Sequence, residues 1–202
     1  MTRQPTTDLP SAATQSSLYV SQSLHLCNCG DRFECETCRQ SWIAKRSRTS
    51  ERWLSNAIAV DGVAWFAMLT IPTLGDWVTE SSELFRRWTK LGKQRSQQRF
   101  RGIPRGLGSI RRGIGVLHLV GRAGRFQPHL HGVIVSDPSI DSRSIIDAWQ
   151  RFGQGFVDVQ LARSLGAVVR YAIAGPLPHE LADRKEVGAM LHGVKIVRRI
   201  GR

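Results

Sequence analysis

Two short apolar segments, joined by a brief glycine-containing connection, constrain the fold of this chain more than any other feature. Ile114–Gly121 and His129–Ser136 are rich in aliphatic and β-branched residues, and the segment between them, Arg122–Gln127, contains Gly124. Apolar runs of this length on either side of turn-forming residues are typical of strands that pair in an antiparallel hairpin. We therefore expect an antiparallel sheet.

The segments around this hairpin alternate between strand-like and helical patterns. The strand-like ones are Gly62–Thr73 and Gly155–Gln160, and the helical ones are Trp77–Arg101, Ser139–Phe152 and Ala162–Ala174. Together with the hairpin they give the order β-α-β-β-α-β-α. This order predicts an α+β fold of the ferredoxin-like, RRM-like type, an antiparallel sheet with helices on one face.

The remaining segments indicate the domain organisation. Residues 1–22 show little periodic hydrophobicity and predict a flexible arm, and residues 23–58 hold a cysteine cluster followed by a basic helix. Residues 60–202 form the main domain, in which the Gly- and Arg-rich segment Gly102–Gly113 is expected to be a mobile loop and Val194–Ile200 could add a strand. We expect one domain with a small appendage.

The chain is strongly basic. Its 29 Lys and Arg residues against 16 Asp and Glu give a formal net charge of +13 and a pI near 10.9. This excess favours a polyanionic partner, with nucleic acid the leading class and an anionic membrane surface the weaker alternative. The residues expected to contact phosphates are Lys45, Arg46, Arg48, Arg95, Arg99, Arg101, Arg111 and Arg112.

The N-terminal residues and the longest apolar stretch bear on where the protein acts. Residues 1–22 are rich in Thr, Ser and Gln and lack the apolar core of a signal peptide. The apolar stretch Gly62–Pro72 is too short to span a bilayer. We therefore expect a cytoplasmic protein without a membrane partner.

All four cysteines lie in one short segment with the pattern CxCx5CxxC. They are Cys27, Cys29, Cys35 and Cys38. In a reducing cytosol this crowding favours a metal site over disulfides, and four thiolates suffice for a tetrahedral structural Zn²⁺. Alternatively, His25 replaces one ligand, or the cysteines are reactive rather than metal-bound. Bound zinc would hold the following basic helix, Gln40–Ile58, against DNA.

Two histidines stand at alternate positions of one expected strand. His129 and His131 should project from the same face while Leu130 turns to the other. Pro128 favours an extended entry to the strand, and Gly132 leaves room beside the histidines. The two imidazoles are a candidate site for a divalent metal, the alternative being that they are ordinary surface residues.

His118 on the preceding strand is the candidate third ligand. A hairpin register that sets it opposite His129 or His131 gathers three imidazoles, whereas a shift by one residue sends it to the other face. Imidazole ligands suit Mn²⁺ or Zn²⁺ and, less readily, Mg²⁺.

The chain contains two tyrosines, and only one lies in an expected helix. Tyr19 falls in the arm, whereas Tyr171 lies in Ala162–Ala174. A phenol needs a nearby metal, base or cation to attack a phosphodiester, and Arg170 and the histidine site are the available sources of such assistance. The alternative is that Tyr171 only packs on the sheet.

Three of these segments resemble, in order, the motifs of HUH-type rolling-circle replication initiators of plasmids. Phe66–Thr73 looks like the first motif, a strand that ends in Leu-Thr-x-Thr. Pro128–Val135 closely matches the second, the metal-binding His-hydrophobe-His, and Val169–Tyr171 resembles the third, where a basic residue precedes the nucleophilic tyrosine. The resemblance covers about Cys27–Ala174, including a cysteine cluster ahead of the first motif.

The resemblance implies a function. Residues 60–202 would be an HUH endonuclease domain that nicks one DNA strand at a replication origin, in single-stranded or hairpin form, with Tyr171 as nucleophile. Mn²⁺ or Mg²⁺ held by His129, His131 and His118 would assist, and the products would be a 5′-phosphotyrosyl link and a free 3′-hydroxyl primer. Host helicase and polymerase would be further partners.

Some positions depart from the family pattern. Gly166 and Ala174 stand where the family often has a glutamate and a lysine, and His118 stands where it often has an acidic ligand. A relaxase or transposase of the same chemistry is one alternative. A non-catalytic, zinc-bearing DNA-binding regulator is the other, although such a protein has no need of the histidines and Tyr171.

Overall fold

The computed structural model describes residues 27, 29, 31–97, 110–120, 126–151, 155–175 and 188–201. The elements are, in chain order, α1 Glu36–Ile58, β1 Val63–Leu69, α2 Trp77–Gln97, β2 Ile110–Val120, β3 Phe126–Ser136, α3 Ser142–Gln150, β4 Val157–Leu161, α4 Leu165–Ala174 and β5 Val197–Gly201. The order β-α-β-β-α-β-α expected from the sequence is confirmed from β1 to α4. The arm expected at residues 1–22 and most of the loop expected at 102–113 lie outside the described residues.

The five strands form one antiparallel sheet in the order β4-β1-β3-β2-β5. The hairpin of β2 and β3 lies at its centre, and β1 pairs with β3 on the side away from β2. The fold is therefore α+β, with β4 and β5 at the two edges of the sheet.

Helices cover both faces of the sheet, so the expectation of helices on one face is wrong. On one face, Trp88 of α2 and Trp149 of α3 pack with Leu130. On the other, Leu54 of α1 and Val169 of α4 pack in a second core. The central strands carry apolar residues at both alternating positions, so each face needs its own cover. Helix α1 therefore packs directly against the sheet as part of the second core.

β2 begins earlier than expected, at Ile110, so the part of the expected loop at 110–113 is strand. Gly113 at the end of the expected loop serves packing, as does Gly115 further along β2. A Cβ on Gly115 would lie 2.8 Å from the Trp88 ring, and one on Gly113 would lie 3.2 Å from it. The glycines therefore make room for the indole against the sheet.

Within the part of the chain that the structure describes, no helix combines the length and apolar character needed to cross a bilayer.

Candidate functional site

Three histidines meet on the sheet face that α1 and α4 cover. His129 and His131 lie two residues apart on β3 and so share a face, and the register of the β2–β3 hairpin places His118 directly opposite His129. The register therefore brings all three imidazoles together, and the alternative of a one-residue shift is not realised.

The cluster is compact and buried. The ring centroids of His118 and His131 are 3.8 Å apart, those of His129 and His131 are 5.0 Å apart, and those of His118 and His129 are 5.3 Å apart. One nitrogen of each lies within 4.8 Å of the others, a spacing that one metal ion can bridge. The three residues are only 4–7% exposed.

Hydrogen bonds orient two of the rings. His118 Nε2 lies 2.9 Å from the Ala172 carbonyl oxygen, and His129 Nδ1 lies 2.8 Å from that of Gln127. Because a carbonyl oxygen only accepts, the proton must be on the nitrogen that faces it. The other nitrogen of each ring then keeps its lone pair, an arrangement common for histidines that bind metals.

The third ring supplies the test of whether a metal fits here. His131 Nδ1 is a buried atom without a hydrogen-bond partner. Buried polar atoms rarely lack a hydrogen-bond partner, because removing them from water costs free energy that only a new partner compensates. A metal bound by the cluster would satisfy this group, so the donor set fits a divalent ion that accepts imidazole ligands.

The electrostatics keep the cluster neutral. Burial lowers the pKa of His131 to about 3, and the neighbouring His129 adds to this shift. Burial likewise lowers the pKa of His129, and it lowers that of His118 well below the usual value, with help from the other two histidines. Near neutral pH the imidazoles therefore carry lone pairs instead of protons, as metal binding requires.

Tyr171 lies directly beside this cluster. Ser164 caps the N-terminus of α4, where its hydroxyl accepts a hydrogen bond from the Ala167 N–H, and Tyr171 follows about two turns later. Its ring stacks on His131 with centroids 5.3 Å apart and an interplanar angle of 15°, and it meets Phe66 edge-on at 5.6 Å. Tyr171 is nevertheless 59% exposed. The Tyr171 side chain is thus accessible from solvent next to the buried histidines.

Gly175 and Phe66 belong to the site although sequence reasoning assigned neither to it. A Cβ on Gly175 would lie only 2.0 Å from Cε1 of His118, so the imidazole packs against bare backbone. A glycine just after a helix is common for conformational reasons and gave no sign of this contact. Gly132 is not beside the histidines as expected, because its missing side chain would point to the Trp88 ring on the opposite face.

The Arg170 side chain lies on the side of α4 that faces α1. It lines a cavity of about 290 Å³ between α1 and α4 together with Ser47 and Glu51. Glu51 Oε1 lies 2.7 Å from where a Cβ of Gly166 would be, so a carboxylate from α1 occupies the space beside the first turn of α4. The structure therefore places Arg170 towards α1, and its expected role in catalysis stays a prediction.

The four cysteines also converge. The sulfur atoms of Cys27, Cys29, Cys35 and Cys38 all lie within 4.8 Å of one another. Those of Cys29 and Cys38 are 3.4 Å apart, and Cys35 is the residue directly before α1. The Cys38 N–H, aided by the neighbouring thiols, lowers the pKa of Cys35 to about 7. The arrangement is compatible with a zinc site at the start of α1.

The expected phosphate contacts fall into different groups. Lys45, Arg46 and Arg48 are exposed on α1. Arg111 instead donates to the carbonyl oxygens of Ala57 and Val60 and pairs with Asp137 at 2.5 Å.

Arg112 also packs against α1, since it donates to the Trp53 carbonyl oxygen and lies over the Trp53 ring. Arg95 lies in α2, while Arg99 and Arg101 are outside the described residues.

Comparison of the chain with protein-family models, with curated proteins and with solved structures finds no match.

Proposed function

We propose that this protein is a metal-dependent, single-strand DNA endonuclease that uses Tyr171 as its nucleophile, as HUH-type replication initiators do. One observation carries the proposal: an exposed tyrosine stacks on a cluster of three buried histidines with depressed pKa values. The strand order β4-β1-β3-β2 also agrees with the ferredoxin-like sheet of that family.

The proposed chemistry is a transesterification. The Tyr171 oxygen attacks phosphorus in line, an O–P bond forms to the tyrosine, and the bond to the 3′ oxygen breaks. The phenol proton passes to solvent, and the leaving 3′ oxygen takes up a proton to become a hydroxyl. The DNA retains a 5′-phosphotyrosyl link, which conserves the bond for later rejoining.

His118, His129 and His131 would hold the divalent ion, either Mn²⁺ or Mg²⁺. When bound, it would supply a Lewis acid that neutralises charge on the scissile phosphate. The side chains themselves contribute the neutral donor nitrogens, the fixed ring orientations and the stacking surface that positions the phenol.

Two further assignments complete the proposal. Cys27, Cys29, Cys35 and Cys38 hold a structural Zn²⁺ that orders the start of α1, the helix that carries Lys45, Arg46 and Arg48 towards DNA. The protein acts in the cytoplasm on an origin, in single-stranded or hairpin form, where the free 3′-hydroxyl primes synthesis by the host polymerase after a host helicase is recruited.

The test is cleavage of a negatively supercoiled plasmid that carries the DNA flanking the coding sequence, incubated with the protein and Mn²⁺. We expect nicked circles with protein attached through Tyr171, identified by mass spectrometry of the adduct. Tyr171→Phe removes only the phenol oxygen, so DNA and Mn²⁺ binding should survive while nicking disappears.

His131→Ala and His118→Ala should instead weaken Mn²⁺ binding and lower nicking by orders of magnitude, whereas substitution of the exposed His192 should change neither. If Tyr171→Phe still nicks and still becomes attached to the 5′ end, the nucleophile is a different residue. Retardation of the plasmid without any nicking would mean a DNA-binding regulator.

A further inference from the structure

A basic groove crosses the edge of the sheet at β5. It encloses about 800 Å³ and is lined by residues of α1, α2 and the segment that includes β5. Four of them are cationic and three of the others carry hydroxyl groups. They are Arg46, Lys195, Arg198, Arg199, Thr49, Ser50 and Thr89.

The positive charge of this groove is not neutralised by the described part of the chain. Among the described residues no acidic side chain lines it, and none of its four cations forms a salt bridge with a described carboxylate. Elsewhere arginines are paired, as Arg87 is with Glu83 at 2.7 Å. The pKa of Arg32 is lowered chiefly by burial and secondly by the positive charge of Arg46, so these two guanidinium groups lie close together. Unpaired cations held this close together favour an anionic partner.

Aromatic rings hold two of the guanidinium groups in place. The Arg199 guanidinium lies 4.9 Å from the centroid of Trp53 of α1, and that of Arg198 lies 4.7 Å from the centroid of Phe85 of α2. Successive residues of a strand point to opposite faces, so the two cations bracket the sheet edge. Stacking on a ring leaves the guanidinium N–H groups available and reduces the entropy lost when they bind a ligand.

The groove is aligned with the histidine cluster. Val197, which lines it, pairs with Val116, and Val116 pairs with His131. Directly paired residues of an antiparallel sheet project to the same face. The groove therefore lies on the same row of the sheet as His131, two strands away, which corresponds to about 10 Å.

We propose that this groove binds the sugar-phosphate backbone of single-stranded nucleic acid. This binding does not rest on the proposed function. Guanidinium, ammonium and hydroxyl groups are the side chains that contact phosphate oxygens. A concave surface that turns round a sheet edge suits a flexible strand. A lipid surface is not favoured, because none of the exposed large apolar side chains of the described residues lines the groove.

The test compares two double variants of equal charge in the full chain. Arg46→Gln with Lys195→Gln removes two exposed groove cations without touching a stacked ring. Arg143→Gln with Arg151→Gln removes two exposed cations of α3 and the residue after it, next to β4 at the other edge of the sheet. Binding of a fluorescent 20-nucleotide oligothymidylate is measured by anisotropy without divalent metal, at several salt concentrations.

We expect the groove variant to bind at least tenfold more weakly, with a log–log salt slope smaller by about 1.4, because two single-strand phosphate contacts are lost at ~0.7 each. The α3 variant should bind within about twofold of the wild type. Arg199→Gln, with folding checked by circular dichroism, should also reduce the slope.

Equal losses in both double variants, or an unchanged slope in the groove variant, would overturn the proposal. So would a groove variant that loses binding to phosphatidylserine vesicles but not to the oligonucleotide. Nicking measured in parallel separates the two proposals. If the wild type does not nick but the groove variant loses oligonucleotide binding, the groove proposal holds and the nuclease proposal is refuted. If the wild type nicks and the groove variant binds the oligonucleotide normally, the groove proposal alone is refuted.

Discussion

Two backbone groups at the end of α4 determine how His118 packs in the histidine cluster. His118 is held from both sides, by the Ala172 carbonyl oxygen at 2.9 Å and by the bare backbone of Gly175. Gly175 has φ −65°, a value that any residue can adopt, so it is required for space and not for conformation. The end of α4 thus positions His118, a proposed metal ligand, as well as Tyr171.

Gly175→Ala should therefore disturb the site more than its size suggests. The added methyl group overlaps the His118 ring, which must shift, and we expect a loss of about 1–3 kcal/mol in the free energy of unfolding. Displacing a ligand should also weaken Mn²⁺ binding about 10–100-fold. Urea unfolding and Mn²⁺ titration measure the two effects.

Gly166→Ala in the same helix is the matched control, since its methyl group meets only the carboxylate end of Glu51, a flexible side chain. The two alanine variants behaving alike would contradict the proposed contact.

The pKa values of the histidines predict how the metal-free protein responds to acid. In the folded state they are lowered, to about 3 for His131, whereas an unfolded histidine titrates near ~6.5. The unfolded chain therefore binds more protons in this window. Stability should be full above pH ~6.5 and should fall as the pH drops towards the folded values, by up to ~1.4 kcal/mol per pH unit for each histidine.

Urea unfolding of chelator-treated protein between pH 7 and pH 5 measures this dependence. His131→Gln should show a shallower decline, because one titrating group is gone. A wild-type stability that stays level across this range would contradict the burial of the cluster.

At the scale of elements, α1 connects the cysteine cluster to the sheet. Cys35 precedes its first residue, and its last turn is joined to β2 by Arg111, which donates to the Ala57 carbonyl oxygen at 3.1 Å. A side chain that satisfies carbonyl groups at the end of a helix stabilises that end.

Arg111→Gln should accordingly reduce stability instead of nucleic-acid binding. The loss of charged hydrogen bonds to Asp137 and to the α1 carbonyl groups is expected to cost about 1–3 kcal/mol. The salt slope for oligonucleotide binding should stay unchanged. Arg48→Gln on the exposed face of α1 is the control and should leave stability nearly constant. A smaller slope with normal stability would restore Arg111 as a phosphate contact.

The cysteine cluster predicts the metal content of the chain. Purified His129→Ala/His131→Ala protein should contain about one zinc per chain, because the four thiolates are independent of the histidine site. Removing this zinc should weaken oligonucleotide binding more than it lowers the stability of the sheet. Metal analysis measures the content. Absence of zinc, with Cys27 and Cys38 alkylated freely in the native protein, would refute the assignment.

At the scale of the whole molecule, strand order and helix placement assemble the site. The strand order puts β3 at the centre, between β1 and β2, so His129 and His131 lie next to His118 on one side and to Phe66 on the other. Helix α4 then crosses this face with Tyr171 over His131. The same arrangement leaves β5 at the edge, where its cations line the groove beside α1.

The sequence by itself determined the features that depend on neighbouring residues. Alternation along a strand places His129 and His131 on one face, and the 3.6-residue period of a helix identifies α2 and α4. The spacing of the cysteines already brings four sulfur atoms within reach of one another. These features follow from local covalent geometry, so a short window of residues suffices to predict them.

Only the tertiary structure decided the features that depend on residues far apart in the chain. Whether His118 joins the cluster depends on hairpin register, and the role of Gly175 depends on where α4 crosses the sheet. Arg111 looks like any basic residue until the end of α1 packs against it. A local pattern shows which side chains are available, but their partners are chosen by the packing of the whole chain, because burial and register are long-range properties.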